Sequence, residues 1–489
     1  MLIGVDAGTS VVKAVAFSEQ GEVLGIEAES NRVLSPAPGL FEQDQAELIS
    51  KVGQVVSRLT SRLPHRVEVI GITAQGDGLW LLDRNGDPLG HAILWLDSRA
   101  IPVVERWLEE GVVEAVARRH GNVLFPGASA SILAYLDRHE PERLAAAGAA
   151  LYCKDVLVHA LTGAVATDPS DASLPFLDVR SRRYDEDIVR LCGLSAWRHL
   201  LPPVDPLPGP LRALNRKGAA LLGLPQGTPV HAGPFDLPAC ALGLGLRRDV
   251  GEALVILGTT LACEVVVDSP PSPTCLGGMT LCFVDPDRWL RAMPAMVGTA
   301  CLDWLTRLLG LRPQDLDSHL DASPIGARGV MVLPHLSPGG ERAPVLDMRA
   351  RGVLAGLHLH VERADLVRAL CEGIACTARH CLESAGWSGG PIYLCGGGAR
   401  SQRLCQLLAD VLGHPVLVPR VQEAGARGAA IAAGIALGGI SFDEWRVSID
   451  VVEPNEDCRQ HYLQLYEQHL RLEETCRELS KMWSSTAID

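Results

Sequence analysis

A two-lobed α/β architecture is what this sequence predicts, and three observations carry the prediction. At 489 residues the chain is too long for one ordinary hydrophobic core. Its first half alternates short apolar strands with helix-like stretches. The strand, hydroxyl-bearing turn and strand that open the chain recur near its middle, at Ala253–Val265. The expected organisation is a first lobe over residues 1–245, a second over 246–445, and a helical tail over 446–489 packed on the second lobe.

Taken in order, Leu2 to Val5 form a buried strand that ends at Asp6, and Gly8, Thr9 and Ser10 make a tight turn into a second strand, Val11 to Phe17. That turn reads either as a plain β-hairpin or as a phosphate cradle, since Gly8 permits close approach and Thr9, Ser10 and their amides can bond phosphoryl oxygens. Asp6 is a candidate Mg2+ ligand acting through water, because Mg2+ prefers hard oxygens and keeps several of its waters. Strands follow at Val67 to Thr73, Leu79 to Asp83 and Ala92 to Leu96, then a helix from Ala100 to Glu110. A proline-rich loop, Leu201 to Pro210, precedes a strand at Pro229 to Gly233, which leads through Phe235 and Asp236 into a small-residue helix at Pro238 to Leu246. In the second half, Ala253 to Leu257, the turn Gly258-Thr259-Thr260 and the strand ending at Val265 repeat the opening pattern. The apolar spacing of Leu366, Val367, Leu370, Ile374 and Ala375 predicts a long buried helix within Val361 to Gly386. A strand from Pro391 then enters a glycine turn, Gly396-Gly397-Gly398, followed by a helix over Gln402 to Leu412. The tail, Asp457 to Met482, is amphipathic and reads as a surface helix.

Composition narrows the function. A hydrophobic share of 47% with 49 Gly and 32 Pro describes a compact, turn-rich chain. A net charge of -14 without a basic run excludes a nucleic-acid backbone as partner. The 14 cysteines are scattered singly with no paired CxxC spacing and no signal peptide, which points to reduced thiols and a cytoplasmic protein. No apolar run reaches the roughly 18 residues of a membrane span, so no membrane partner is expected. A homodimer is compatible with the sequence and not required by it.

Several motifs, in this order, resemble the FGGY family of carbohydrate kinases. They are Asp6-Ala-Gly-Thr-Ser10, Pro38-Gly39 with Glu42-Gln43-Asp44, Leu257-Gly-Thr-Thr260, Gly340-Glu-Arg-Ala-Pro344, Ala350-Arg-Gly352, Gly397-Gly-Ala399 with Ala409 to Gly413, and Glu423 to Ala430. The resemblance spans essentially the whole chain and implies the two-lobed actin, Hsp70 and sugar-kinase fold, of the ribonuclease H-like type, with a cleft between the lobes. It implies ATP and Mg2+ as cofactors and a small sugar or polyol as substrate. It places Asp236 as the catalytic base that takes the proton of the attacking hydroxyl; the residues alone equally allow a helix N-cap at that position. By the same resemblance Gly8, Thr9, Ser10, Lys13, Gly258, Thr259 and Thr260 cradle phosphates, Gly298, Gly397, Gly398 and Gln402 contact the nucleotide, and Asp6 and Asp236 lie near the metal.

The substrate signal sits in Thr73-Ala-Gln75-Gly76-Asp77-Gly78. Where glycerol kinases carry Arg-Glu and typical xylulokinases Met-His, this chain has Gly76 and Asp77. The expectation is that Gly76 makes room, that Asp77 accepts hydrogen bonds from two neighbouring hydroxyls, and that Gln75 and Trp95 complete the pocket. The flanking stretches resemble the erythritol-kinase branch and the branch of L-xylulose and 3-keto-L-gulonate kinases, and Asp77 disfavours a carboxylate-bearing acceptor. The reading is therefore a kinase for a xylulose-like pentulose or an erythritol-like polyol. The alternatives are a kinase for a sugar acid or glycerol, or a catalytically silent ATP-binding sensor or scaffold of the same fold.

Overall fold

The computed structural model describes residues 1–246, 249–270, 276–440 and 445–480. Two mixed sheets organise it. The first runs in the order Leu211–Ala213, Pro229–Ala232, Val69–Ala74, Leu2–Ala7, Val11–Phe17, Val23–Ser30. The opening hairpin is antiparallel with Asp6 opposite Lys13, and Leu2–Ala7, Val69–Ala74 and Pro229–Ala232 run parallel. Their carboxyl ends therefore share one edge, the place where open α/β sheets build their sites.

The second sheet runs Met279–Cys282, Trp289–Ala295, Leu261–Val267, Ala253–Leu257, Ile392–Cys395, Val416–Pro419, Ile449–Val452. It repeats the plan of the first: an antiparallel hairpin, then parallel neighbours, so the turns after Leu257 and after Cys395 open on one edge. The strand Ile449–Val452 pairs with Val416–Pro419, so the second sheet continues past the expected boundary at 445.

Two helices of small residues, Asp236–Leu244 and Ala424–Leu437, pack on each other between the sheets. The second of them lies directly on the first sheet: a Cβ at Gly4 would fall 1.8 Å from the Ala426 carbonyl oxygen, and one at Gly71 2.0 Å from that of Ala429. Leu242, Leu244, Leu254, Val266, Ala426 and Ala430 then share one buried cluster that joins the two halves.

Local signals set most boundaries. The helix Gln402–Leu412 begins where the Ser401 hydroxyl accepts from the Leu404 amide and ends at Gly413 in the left-handed region. The tail helix Arg459–Ser480 buries Tyr462, Leu465 and Tyr466 against the second core, and the end of the expected helix, Lys481 and Met482, lies outside the described residues. Among the described residues no helix is long and apolar enough to cross a membrane, and the cysteines are free thiols.

Candidate functional site

Three loops leave the shared edge of the first sheet, at Gly8–Ser10, Gln75–Gly78 and Gly233–Phe235. In the first, the Gly8 amide donates to the Val11 carbonyl at 3.0 Å, and of the two hydroxyl-bearing residues Ser10 is exposed while Thr9 is partly buried. The Thr9 hydroxyl donates to Gln75 Oε1 at 2.7 Å and accepts from Trp95 Nε1 at 3.1 Å. Gln75 Nε2 donates to Gln43 Oε1 at 2.8 Å. Both ends of the Gln75 amide are thus engaged inside the protein, so it sets the Thr9 turn in place instead of presenting itself to an acceptor, as had been expected. Lys13 is ion-paired at 2.5 Å with Glu423, which stands in the left-handed region at φ 58° ahead of the helix Ala424–Leu437. This pair ties the first hairpin to a residue late in the chain, and a phosphate would have to compete for the lysine.

The space opened by Gly76 is not vacant. A Cβ there would fall 2.5 Å from the ring of Phe235, so the missing side chain accommodates an aromatic of the protein and not an acceptor. Phe235 is the N-cap of the helix Asp236–Leu244, and Asp236 is its first helical residue; the N-cap alternative for Asp236 is displaced by one position. Its carboxylate accepts from the Leu237 amide and is only half-buried, open enough to meet a ligand.

Asp77 is buried, with φ 55°, a left-handed conformation that Asp tolerates better than most residues. Facing it at 4.0 Å is Arg342 Nη1, from the second half of the chain. The Arg342 guanidinium lies between Trp95 and Phe125, at 4.9 and 4.5 Å from their ring centres, and its Nε donates to the Pro294 carbonyl at 2.9 Å. Glu341 Oε1 accepts from the amides of Met296, Arg342 and Ala343 and so fixes the loop that presents the arginine. Asp77 Oδ1 and Arg342 Nη1 are both buried without a hydrogen-bond partner. Sequence reasoning had placed Arg342 in a motif without giving it a role; its separation from Asp77 along the chain left no local signal.

The carboxylates here are crowded. Burial pushes Asp77 up to about 7, against the pull of Arg342. Burial, then the charge of Asp6, push Asp236 up to about 7. Burial raises Asp6 to about 6, partly offset by Lys13. Among the described residues no cluster of three His, Cys, Asp or Glu side chains could hold a metal alone.

On the second sheet, the Gly258 amide donates to the Thr260 carbonyl at 3.0 Å, forming a turn in the corresponding place that is one residue tighter than the first. Gly298 sits beneath it: its amide donates to the Thr259 carbonyl at 2.8 Å, and a Cβ would meet the Gly258 oxygen at 2.7 Å. Gly298 therefore buttresses the turn and is buried, where a nucleotide contact was expected. An open cavity of about 570 Å3 adjoins this turn, lined by Gly397, Gly398, Thr299, Gln314, Asp317 and Ser401. Gln402 is exposed and outside that lining; Ser401, whose hydroxyl donates to Asp317 at 2.5 Å, takes the wall position instead, because it is the N-cap and turns inward.

Known proteins share this fold. The N-terminal domain model of the FGGY family of carbohydrate kinases matches residues 1–243, and its C-terminal domain model matches residues 253–437. The chain is 33% identical to the erythritol kinase of Brucella abortus over 90% of its own length and 88% of that protein. It is 31% identical to the L-xylulose/3-keto-L-gulonate kinase of Escherichia coli, covering 89% and 88%. The fold superposes on a ligand-bound xylulose kinase from Lactobacillus acidophilus with a TM-score of 0.92, at 22% identity and 99% coverage of both chains. Two family models on the two repeated sheets, with relatives matched over nearly their whole length, establish that this chain is an enzyme of the FGGY family of carbohydrate kinases.

Proposed function

We propose that this kinase transfers the γ-phosphoryl group of ATP to a hydroxyl of a small uncharged ketose or polyol, xylulose-like or erythritol-like, with Asp236 as general base. One observation carries the reading: beside Asp236, the buried Asp77 carboxylate and Arg342 guanidinium face each other at 4.0 Å, and Asp77 Oδ1 and Arg342 Nη1 lack a hydrogen-bond partner. An unmet buried charged group costs about 1–3 kcal/mol or more. A polyhydroxylated acceptor meets both demands, donating a hydroxyl to Asp77 and offering an oxygen to Arg342. The pocket sets one guanidinium against the carboxylates of Asp77 and Asp236, so an acidic acceptor adds like charge and a neutral one does not. The Brucella relative is named for a neutral polyol, and the Escherichia relative for a neutral pentulose and also for a sugar acid, the acceptor class that the two carboxylates here disfavour.

The first turn, Gly8–Ser10, and the second, Gly258–Thr260, grip the phosphates from the two lobes, and the cavity beside Gly397 and Gly398 takes the adenosine. Residues 1–245 together with Arg342 then hold the acceptor, the second lobe, whose sheet runs on through Val452, holds the nucleotide, and the helix Arg459–Ser480 braces that lobe. Asp6 and Asp236 suit Mg2+ as a pair of hard oxygen donors whose mutual repulsion a cation relieves, with phosphate oxygens completing the shell. Bound Mg2+ supplies positive charge that offsets charge developing on the transferred group. Asp236 accepts the proton of the attacking hydroxyl, and closure of the lobes keeps water from replacing the acceptor.

A coupled ADP-release assay across erythritol, glycerol, D-xylulose, L-xylulose, D-ribulose and gluconate tests the assignment. A neutral four- or five-carbon acceptor is expected to exceed gluconate in kcat/KM by about tenfold or more. Gluconate as the best substrate would overturn the neutral-acceptor reading, and turnover of none would favour the sensor.

Two further results are expected. Asp77→Asn keeps a residue that tolerates the left-handed backbone and removes the charge; it should raise the acceptor KM by about 10–100-fold with the ATP KM unchanged. An unaltered acceptor profile removes Asp77 from the pocket. The base must be ionised to act, and burial with the Asp6 charge raises Asp236 to about 7. The acceptor kcat/KM should therefore fall about tenfold per unit below that pH and level off above it, and excess Mg2+ should shift the limb to lower pH. A profile flat between about pH 5 and pH 8 contradicts this.

A further inference from the structure

A second cavity, of about 160 Å3, lies on the other side of the segment that carries Asp236. It is bounded by Leu207 and Pro234 of the first lobe, Leu242 of the helix Asp236–Leu244, Phe283 at the end of the second sheet, and Ala432 and Ile435 of the helix Ala424–Leu437. A molecule in it would touch both sheets and both central helices. Its walls are mostly apolar, and its polar groups are nearly all committed. Asp168 accepts from Lys154 at 2.9 Å and from the Ser170 hydroxyl at 3.0 Å, and Asp205 pairs with Arg212 at 2.5 Å. Ser170 Oγ accepts from the Phe235 amide at 3.1 Å, a direct link from the cavity wall to the residue before Asp236.

The exception is His231. It lines the cavity at 4% exposure, and neither ring nitrogen has a partner in good hydrogen-bond geometry, although the Gly209 backbone lies close enough to act on the ring. Burial lowers its pKa to about 4, so the ring is neutral and offers one donor and one acceptor. A cavity of this size holds an apolar molecule about as large as benzene, roughly six to ten heavy atoms. A sugar carries more hydroxyls than the one unpartnered ring can satisfy, and a carboxylate would face Asp168 and Asp205.

We propose that this cavity is a regulatory site for a small uncharged molecule with an apolar ring or branched body and a single hydroxyl, bonded by His231 and sensed through Pro234–Asp236 and the packing of the two lobes. Binding does not depend on the role assigned to Asp236, whereas its effect on turnover does. The test is a calorimetric titration of the full chain with cyclohexanol, with cyclohexanecarboxylate as the charged control. Saturable one-to-one binding of cyclohexanol is expected, with the carboxylate about tenfold weaker or more. Val284→Trp fills the half-exposed rim and should abolish binding, and His231→Phe should weaken it about tenfold or more, since a partner for a buried polar group is lost. At saturation kcat should change about twofold or more in the wild type and not in Val284→Trp. Absence of saturable binding, or equal binding by wild type and Val284→Trp, overturns the site. Binding with unchanged kcat in an active enzyme overturns its regulatory role, and an inactive enzyme that still binds places the failure in the kinase assignment.

Discussion

Asp236→Ala is expected to lower kcat by about three orders of magnitude or more while ATP affinity changes by less than about threefold, because a positioned general base contributes up to roughly 10⁴-fold. The structure makes the substitution a clean probe. Asp236 is the first residue of its helix and Phe235 is the N-cap, so alanine leaves the N-cap residue in place and removes one bond, from the Leu237 amide. The carboxyl is also a strained one. Its folded pKa stands at about 7, above the ordinary 3.8, so the stability it contributes is present at low pH and is lost as pH rises through about 7. Removing it relieves that cost, and at about pH 8 the melting temperature should hold or rise as kcat collapses, the trade-off expected of a destabilising functional group. Single-turnover kinetics, nucleotide calorimetry and a melting curve on one preparation decide the matter. A kcat within about tenfold of wild type removes Asp236 as base, and a collapse in melting temperature assigns it a structural role instead.

Asp236 also shows how far the sequence could be read. Much that depends on neighbours along the chain was legible: the strand, turn, strand repeat, the hydroxyls in both turns, and the helix Gln402–Leu412. What the sequence could not show was which faces meet. Gly76 reads as empty space until Phe235, far along the chain, is seen to fill it. Gln75 reads as a pocket residue until its amide is found bonded to Thr9 and Gln43. Arg342 carries no local mark of its place opposite Asp77 between two aromatic rings, because strand order and lobe packing decide that contact. Gln402 and Ser401 differ by one position, and only the helix N-terminus determines which of them turns toward the cavity. The corrections at Gly76, Gln75 and Arg342 concern non-local contacts, where tertiary packing overrides pattern, whereas that at Gln402 turns on a local cap.

The same reasoning gives the largest expected effect on stability. Gly4→Ala should lower the melting temperature by roughly 3–6 °C, through a destabilisation of about 3 kcal/mol, the larger shift if one lobe unfolds by itself and the smaller if the whole chain melts together. Gly4 lies in an ordinary strand, so it has no need of glycine's backbone freedom; its need is for space. An added Cβ would fall 1.8 Å from the Ala426 carbonyl oxygen, and the atom it meets is backbone, with no rotamer to turn away. The helix Ala424–Leu437 would have to lift from the first sheet, against a neighbour at Gly71 that is 2.0 Å from the Ala429 oxygen on the same measure. Lifting carries Glu423 away from Lys13 and Gly425 away from Asp6, whose Oδ2 is where a Cβ of Gly425 would reach within 2.5 Å. Turnover should therefore fall together with stability, by about tenfold, although Gly4 itself touches no ligand. Gly439→Ala is the matched control, since the nearest atom to its Cβ lies 3.8 Å away, and its melting temperature should stay within about 1 °C of wild type. Equal melting temperatures for the two variants would mean that the sheet and helix are not in backbone contact, and the coupling drawn here between the late helix and the first turn would fall with it.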